Sequence, residues 1–264
     1  MSGENLSDGR QNLAVELEAG VLTVTLTRPD ALNALDVTLM AELRTLWAEL
    51  PAGVRCIVVT GAGKGFCAGA DISLLESDRA DAAATVADEL AFLPGDQVEV
   101  PVIAAVNGVC AGGGLHFVAD ADIVIASARA SFVDPHVSVG QVTALEPLTL
   151  RLQMRPDVLA RMALLGRHER LSAEQALAAG LVSELVEPGS LLPRAQELAT
   201  QIAGNSPAAT ARSRRVLREL ERDLIGEARL EAGWAEIRAH WAHPDAKEGP
   251  KAFGERREPE WGEP

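Results

Sequence analysis

Cysteine is scarce in this chain of 264 residues. Cys56, Cys67 and Cys110 are too few and too irregularly spaced for a disulfide framework or a thiolate metal site, which suits a reducing compartment and makes the cytoplasm the default expectation. Long apolar runs are missing as well. The most apolar region, Val100 to Ala126, is broken by Pro101, Asn107, its glycines, His116, Asp120 and Asp122, so no membrane-spanning segment is expected. The first ten residues, MSGENLSDGR, lack the basic-then-apolar order of a signal peptide. Positive charge is in short supply: 24 Lys and Arg stand against 38 Asp and Glu, a net −14. That balance opposes a nonspecific grip on nucleic acid or on an anionic membrane. The acidic excess lies in residues 1–205, while residues 206–264 are close to neutral.

What remains is the composition of an ordinary globular protein, with 47% hydrophobic and 23% charged residues, and a length that allows one large domain or two small ones. Residues 13–27 alternate apolar and polar around Ala19-Gly20, the pattern of a β-hairpin. Asp36 is placed to cap a helix whose Val37, Met40, Leu43, Trp47 and Leu50 recur at three- and four-residue spacing, with Pro51 just beyond it. Short apolar runs at Cys56–Thr60, Val102–Val106 and Ile123–Ala126 read as strands buried on both faces, alternating with helical patterns such as Asp81 to Leu93. Together they predict an α/β fold with parallel pairing. No fixed repeat period is visible. Ser172 and Gln175 form a capping-box pattern, with Gly180 as the stop before a strand at Leu181–Val186. After Pro207 the strand signal ends. Residues 208–240 read as two helices broken near Gly226, followed by a proline- and charge-rich tail, so the composition shift near 205 is the best domain boundary.

Two glycine-rich turns follow apolar strands: Gly61 to Asp71, and Asn107 to Gly114. Neither carries the GK[ST] of a phosphate loop or the GxGxxG of a dinucleotide site, so nucleotide-hydrolase and Rossmann readings lose their support. Small residues let a backbone approach a ligand, and amides at a helix start can face a developing negative charge. The same glycines also serve plain tight turns and close helix–strand packing.

Taken in order, Leu26-Thr27-Arg28-Pro29-Asp30-Ala31-Leu32-Asn33-Ala34-Leu35, Phe66-Cys67-Ala68-Gly69-Ala70-Asp71-Ile72, Pro101 to Gly108 with Gly112-Gly113-Gly114, Ala178 to Val182, and Ala252 to Arg257 resemble the crotonase superfamily of enoyl-CoA hydratases and isomerases. The resemblance spans nearly the whole chain. It implies a spiral of ββα units over residues 1–205, holding an acyl-CoA pocket, and a helical oligomerisation region over 206–264 that packs trimers or pairs of trimers. It implies coenzyme A as part of the substrate, with no permanently bound cofactor and no metal. It also implies an oxyanion hole from the backbone amides of Ala70 and Gly113, where two donors carry enolate charge on a thioester oxygen. Substrate contacts carried over by position are Arg28, Lys64, Ala68, Asp71, Ile72 and Arg256, the last reaching coenzyme A across a subunit boundary.

Departures from the family pattern bear on the chemistry. The two glutamates of a family hydratase fall by position on His116 and His136, and no glutamate occurs between Glu99 and Glu146. A neutral imidazole accepts a proton from water, so a His pair can divide base and acid roles, with Glu146 as the nearest downstream carboxylate. The plain readings are His116 as a core histidine, Glu146 as a first-turn helix residue and Asp134 as a turn residue. Lys64 and Arg256 have the plain reading of surface charges, and Asp30 stands where many relatives carry a base near the CoA phosphates. Cys67 and Cys110 flank the expected hole, but a reactive thiol needs an accessible, electropositive setting. Three functions follow: a hydratase or isomerase with His116, His136 and Glu146 carrying protons; a carbon–carbon bond hydrolase or lyase acting on a β-dicarbonyl or β-keto-CoA through the Pro135-His136 turn; or a non-catalytic acyl-CoA-binding relative.

Overall fold

Strands β1 (Glu4–Asn5), β2 (Leu13–Glu18) and β3 (Val21–Leu26) pair antiparallel, and Ala19 and Gly20 turn the hairpin at φ 49° and 83°. Both turn residues are left-handed, the geometry that matches the twist of paired strands. The computed structural model describes residues 3–7, 9–71, 73–74 and 85–262. Three strand pairs follow: β4 (Cys56–Gly61) with β5 (Gly65–Cys67), β6 (Val102–Val106) with β7 (Val109–Ala111), and β8 (Ile123–Ser127) with β9 (Ser131–Val133). β10 (Arg170–Ser172) and β11 (Glu184–Val186) complete the set.

The first strand of each pair enters a seven-stranded sheet ordered β1-β2-β3-β4-β6-β8-β11, and the second enters a four-stranded sheet ordered β10-β9-β7-β5. From β3 onward the large sheet is parallel, and in the small one only β10 runs antiparallel. Each pair is one turn of a spiral, so the α/β architecture expected from the sequence is the one formed. The repeat is invisible in the sequence because the excursion from β5 to β6 is far longer than that from β7 to β8.

Strands β4 and β6 are buried on both faces, which explains their unbroken apolar runs. One face, with Ile57, Val59 and Ala104, packs into the main core beside Leu39, Leu43 and Trp47. Val58, Ile103 and Ala105 face the helix Leu191–Ala203, where Ala195, Ala199 and Ala203 recur every fourth residue and allow close approach. The helix Val37–Ala48 starts where Asp36 accepts from the Leu39 amide at 2.7 Å. Its remaining face turns toward the site described below.

Several expectations change at their edges. Of the helix expected over Asp81–Leu93, Val86–Glu89 is helical, and residues 81–84 lie outside the described residues. The Ser172–Gln175 capping box forms and Gly180 ends the helix at φ 92°, but the strand beyond is only Glu184–Val186. Leu181 and Val182 are apolar because they fold back on the core after the helix stop, with the Leu181 amide bonded to Ala176 O. Helices Pro207–Ile225 and Glu227–His240 break at Gly226 as expected. The tail, by contrast, contains a helix, Asp245–Gly254, with Pro250 inside it. Pro250 has no amide to offer the Ala246 carbonyl, and Gln141 Nε2 donates there instead at 2.9 Å.

Candidate active site

Two strand exits converge to make the site. Gly69 takes φ 89°, and a Cβ there would lie 2.8 Å from Ala111 O; a Cβ on Gly114 would collide with Cys67 O. Only glycine lets these two segments meet. Ala70 consequently stands beside the start of the helix Gly114–Asp120, its nitrogen 3.7 Å from where a Gly113 Cβ would be. In the parallel bridge between Leu35 and Ala70, the Leu35 amide bonds Gly69 O and the Asp71 amide bonds Leu35 O. That pattern turns the Ala70 N–H out of the bridge. Gly113 caps the helix, where amides have no intrahelical acceptor. Ala70 and Gly113 line one cavity of about 450 Å³ together with His116, His136 and Glu146.

The three titratable residues are in mutual contact. His116 Nε2 lies 3.1 Å and His136 Nε2 3.6 Å from the same oxygen, Glu146 Oε1. Burial alone would push the Glu146 carboxyl up, but the flanking His136 and His116 rings, with the hydrogen bond from His116, outweigh it and hold the group well below the usual carboxylate range. Glu146 is therefore ionised at neutral pH and accepts the His116 Nε2–H. His136 is held from behind: its Nδ1 is 2.6 Å from Asp134 Oδ1, its backbone amide donates to the same oxygen at 3.2 Å, and the Thr143 hydroxyl donates to Asp134 Oδ2 at 2.5 Å. With Nδ1–H given to Asp134, the basic nitrogen of a neutral His136 is Nε2, on the Glu146 side. Asp134 is only 1% exposed. The sequence offered it as a turn residue two positions before His136, and nothing there signalled Thr143, more distant in the chain.

The other expected residues are placed differently. Arg28 is occupied by Asp71 at 3.0 Å and Asp36 at 3.2 Å, and it also donates to Ala34 O, so it braces the loops around Ala70. The Ala68 amide bonds Leu32 O at 3.0 Å. Lys64 and Arg256 are exposed and, among the described residues, make no ion pair. Ile72 lies outside the described residues. Cys67 is buried and its thiol is pushed up to about 12, largely by that burial, and burial likewise raises the Cys110 thiol well above its ordinary value. Neither is a nucleophile in that state. Among the described residues no group of three or more His, Cys, Asp or Glu side chains is arranged to hold a metal ion, and no helix is long and apolar enough to cross a membrane.

Comparison with known proteins bears on the family and the fold. Residues 16–264 match the family profile described as enoyl-CoA hydratase/isomerase. The chain is 36% identical over 255 residues to the (E)-benzylidenesuccinyl-CoA hydratase of Thauera aromatica, covering 94% of this chain and 97% of that one. It is 34% identical over 264 residues to the carnitinyl-CoA dehydratase of Proteus mirabilis, covering 95% and 98%. Among solved structures, an enoyl-CoA hydratase/isomerase from Pseudoalteromonas atlantica superposes with a TM-score of 0.85 at 29% identity, covering 96% of this chain and 100% of that one. A carnitinyl-CoA hydratase from Mycobacterium avium gives 0.82 at 34% identity, covering 96% and 98%. With profile, sequence and fold in agreement over almost its full length, the chain belongs to the enoyl-CoA hydratase/isomerase family.

Proposed function

We propose that the protein adds water across the conjugated double bond of a 2-enoyl-CoA, or runs the reverse dehydration, with coenzyme A entering as part of the substrate and no resident cofactor. The observation that carries this reading is the sharing of Glu146 Oε1 by His116 and His136 beside the Ala70 and Gly113 amides. The two amides hold the thioester oxygen as it gains enolate charge, each such donor contributing about 3 kcal/mol to the transition state. A water against His136 Nε2 and Glu146 gives its proton to the imidazole as its oxygen adds to the β-carbon. Asp134 steadies the imidazolium formed. The enolate α-carbon takes its proton from His116, and the His136 imidazolium replaces that proton through Glu146 Oε1, which both rings contact, so both histidines return to their starting state. Lys64 and Arg256 are available to the CoA phosphates, while Arg28 shapes the loop that presents Ala70.

Purified protein given crotonyl-CoA and longer 2-enoyl-CoAs is expected to consume the conjugated absorbance; absence of turnover at every chain length removes the hydratase reading. The Asp134–His136 pair favours one alternative, a hydrolase in which the activated water attacks a carbonyl and an enolate leaves into the amide pair. β-Diketones and cyclic β-keto-CoA esters, followed by mass spectrometry for gain of water with ring opening, separate the two. Binding of acyl-CoA without turnover of either class leaves the non-catalytic reading.

Residues 206–264 are proposed as the region that packs subunits against one another; the pocket is formed mainly by residues 1–205, with Trp234, Ile237 and Trp241 of the helical region also reaching its wall. The helix Pro207–Ile225 supports this because its polarity is inside out. Arg214 and Arg218 point inward to Asp122 and Asp120, at 2.7 and 2.6 Å, while Val216, Leu217, Leu220 and Leu224 are 55–65% exposed on the other side. A contiguous apolar face of this kind marks a protein interface. Light scattering is expected to give a trimer or a pair of trimers, and Leu217→Glu with Leu220→Glu to lower the mass; a monomeric parent protein sinks the proposal.

A further inference from the structure

We propose that Arg44 selects an acyl group ending in a second carboxylate. The inference rests on the acyl-CoA reading above and extends it from reaction type to substrate class. Val37, Met40 and Arg44 lie on one face of the helix Val37–Ala48, and all three line the cavity that holds Ala70, Gly113 and Glu146. Leu35, just before this helix, forms the bridge to Ala70, so the helix start marks the thioester end of the cavity. Arg44 is seven residues beyond Val37, about 10 Å along the axis. Helical side chains tilt toward the N-terminus, so the Arg44 stem leans in the direction of Met40 and the thioester end of the cavity. A short acyl chain leaving the amide pair along this wall reaches Arg44 with its far end.

Much of the remaining wall is apolar, with Leu90, Phe92, Leu145, Trp234 and Ile237 among its members, and suits the methylene stem of such a chain. Arg44 has no ion pair among the described residues, and the hydrogen bond it donates there is a long one, 3.4 Å to Asp88 O. This contrasts with Arg28, Arg214 and Arg218, each held by a carboxylate. The acidic groups lining the cavity are Glu146, whose Oε1 both imidazoles contact, and Glu89, which is engaged in an interaction of its own. Arg44 is exposed, so its contribution is that of a rim contact with bidentate geometry and not of a deeply buried pair.

Calorimetric binding of saturated acyl-CoAs tests this without requiring turnover. Glutaryl-CoA and adipyl-CoA are compared with butyryl-CoA, hexanoyl-CoA and free coenzyme A on the full-length protein and on Arg44→Met and Arg44→Lys. Arg44→Met is expected to weaken the dicarboxylic ligand about five- to tenfold and to leave hexanoyl-CoA and free coenzyme A within twofold, with Arg44→Lys recovering part of the loss. An equal loss for all ligands assigns Arg44 to the coenzyme A phosphates or to folding and overturns the proposal. So does an unchanged affinity for the dicarboxylic ligands. Because affinity is read directly, a protein that binds selectively yet hydrates nothing defeats the hydratase reading and leaves this one standing.

Discussion

His136→Asn lowers kcat for enoyl-CoA hydration by about 10²- to 10⁴-fold while KM stays within a few-fold. Asparagine keeps an N–H donor for Asp134 and so preserves the Asp134–Thr143 link, but it has no nitrogen that can take a proton from water. Steady-state kinetics check the rate, and unchanged thermal unfolding checks that the turn survives. A kcat close to the parent value would remove His136 from the proton path. A rise in KM with kcat unchanged would make it a binding residue only.

Glu146→Gln is expected to cost about 10²-fold or more in kcat, and at neutral pH about 1–3 kcal/mol of stability. Glutamine still accepts from His116 but supplies no charge to balance an imidazolium on either side. The pH dependence follows from the direction of the Glu146 shift. Its carboxyl titrates lower in the folded protein than its ordinary 4.5, so its ionised form stabilises the fold above that value, and the contribution is lost as pH falls through the folded-state value. The stability gap between parent and Glu146→Gln is therefore full at pH 7 and narrows below about pH 4.5. Chemical denaturation across pH 3 to 8 measures it; a gap that stays constant or widens toward acid contradicts an ionised Glu146 held by two imidazoles.

Features governed by short-range rules were legible in the sequence. The Ala19-Gly20 hairpin, the Asp36 cap, the Ser172–Gln175 box and the break at Gly226 each depend on residues a few positions apart, and each formed where its pattern lay. The pairing of strands into two sheets was not legible, because the spiral is a relation among segments separated by loops of unequal length. Leu181 and Val182 looked like strand because burial after a helix stop and burial in a sheet leave the same apolar mark. At the site, the glycines and the His116–His136 spacing were visible. The meeting of both rings on one oxygen of Glu146 was not, since it depends on how the helix Leu145–Leu150 is set against the helix Gly114–Asp120. Asp134 gave no sign beyond its adjacency to Pro135, because a carboxylate in a turn and one behind an imidazole read alike in one dimension.

Pro250 turns a defect in one element into an address for another. By withholding its own amide it keeps the Ala246 carbonyl open to Gln141, a residue that also lines the cavity. The last helix is thus tied to the lining of the cavity through one side chain. A substitution that unseats this helix is therefore expected to alter acyl-CoA affinity through Gln141, although the helix itself does not line the cavity.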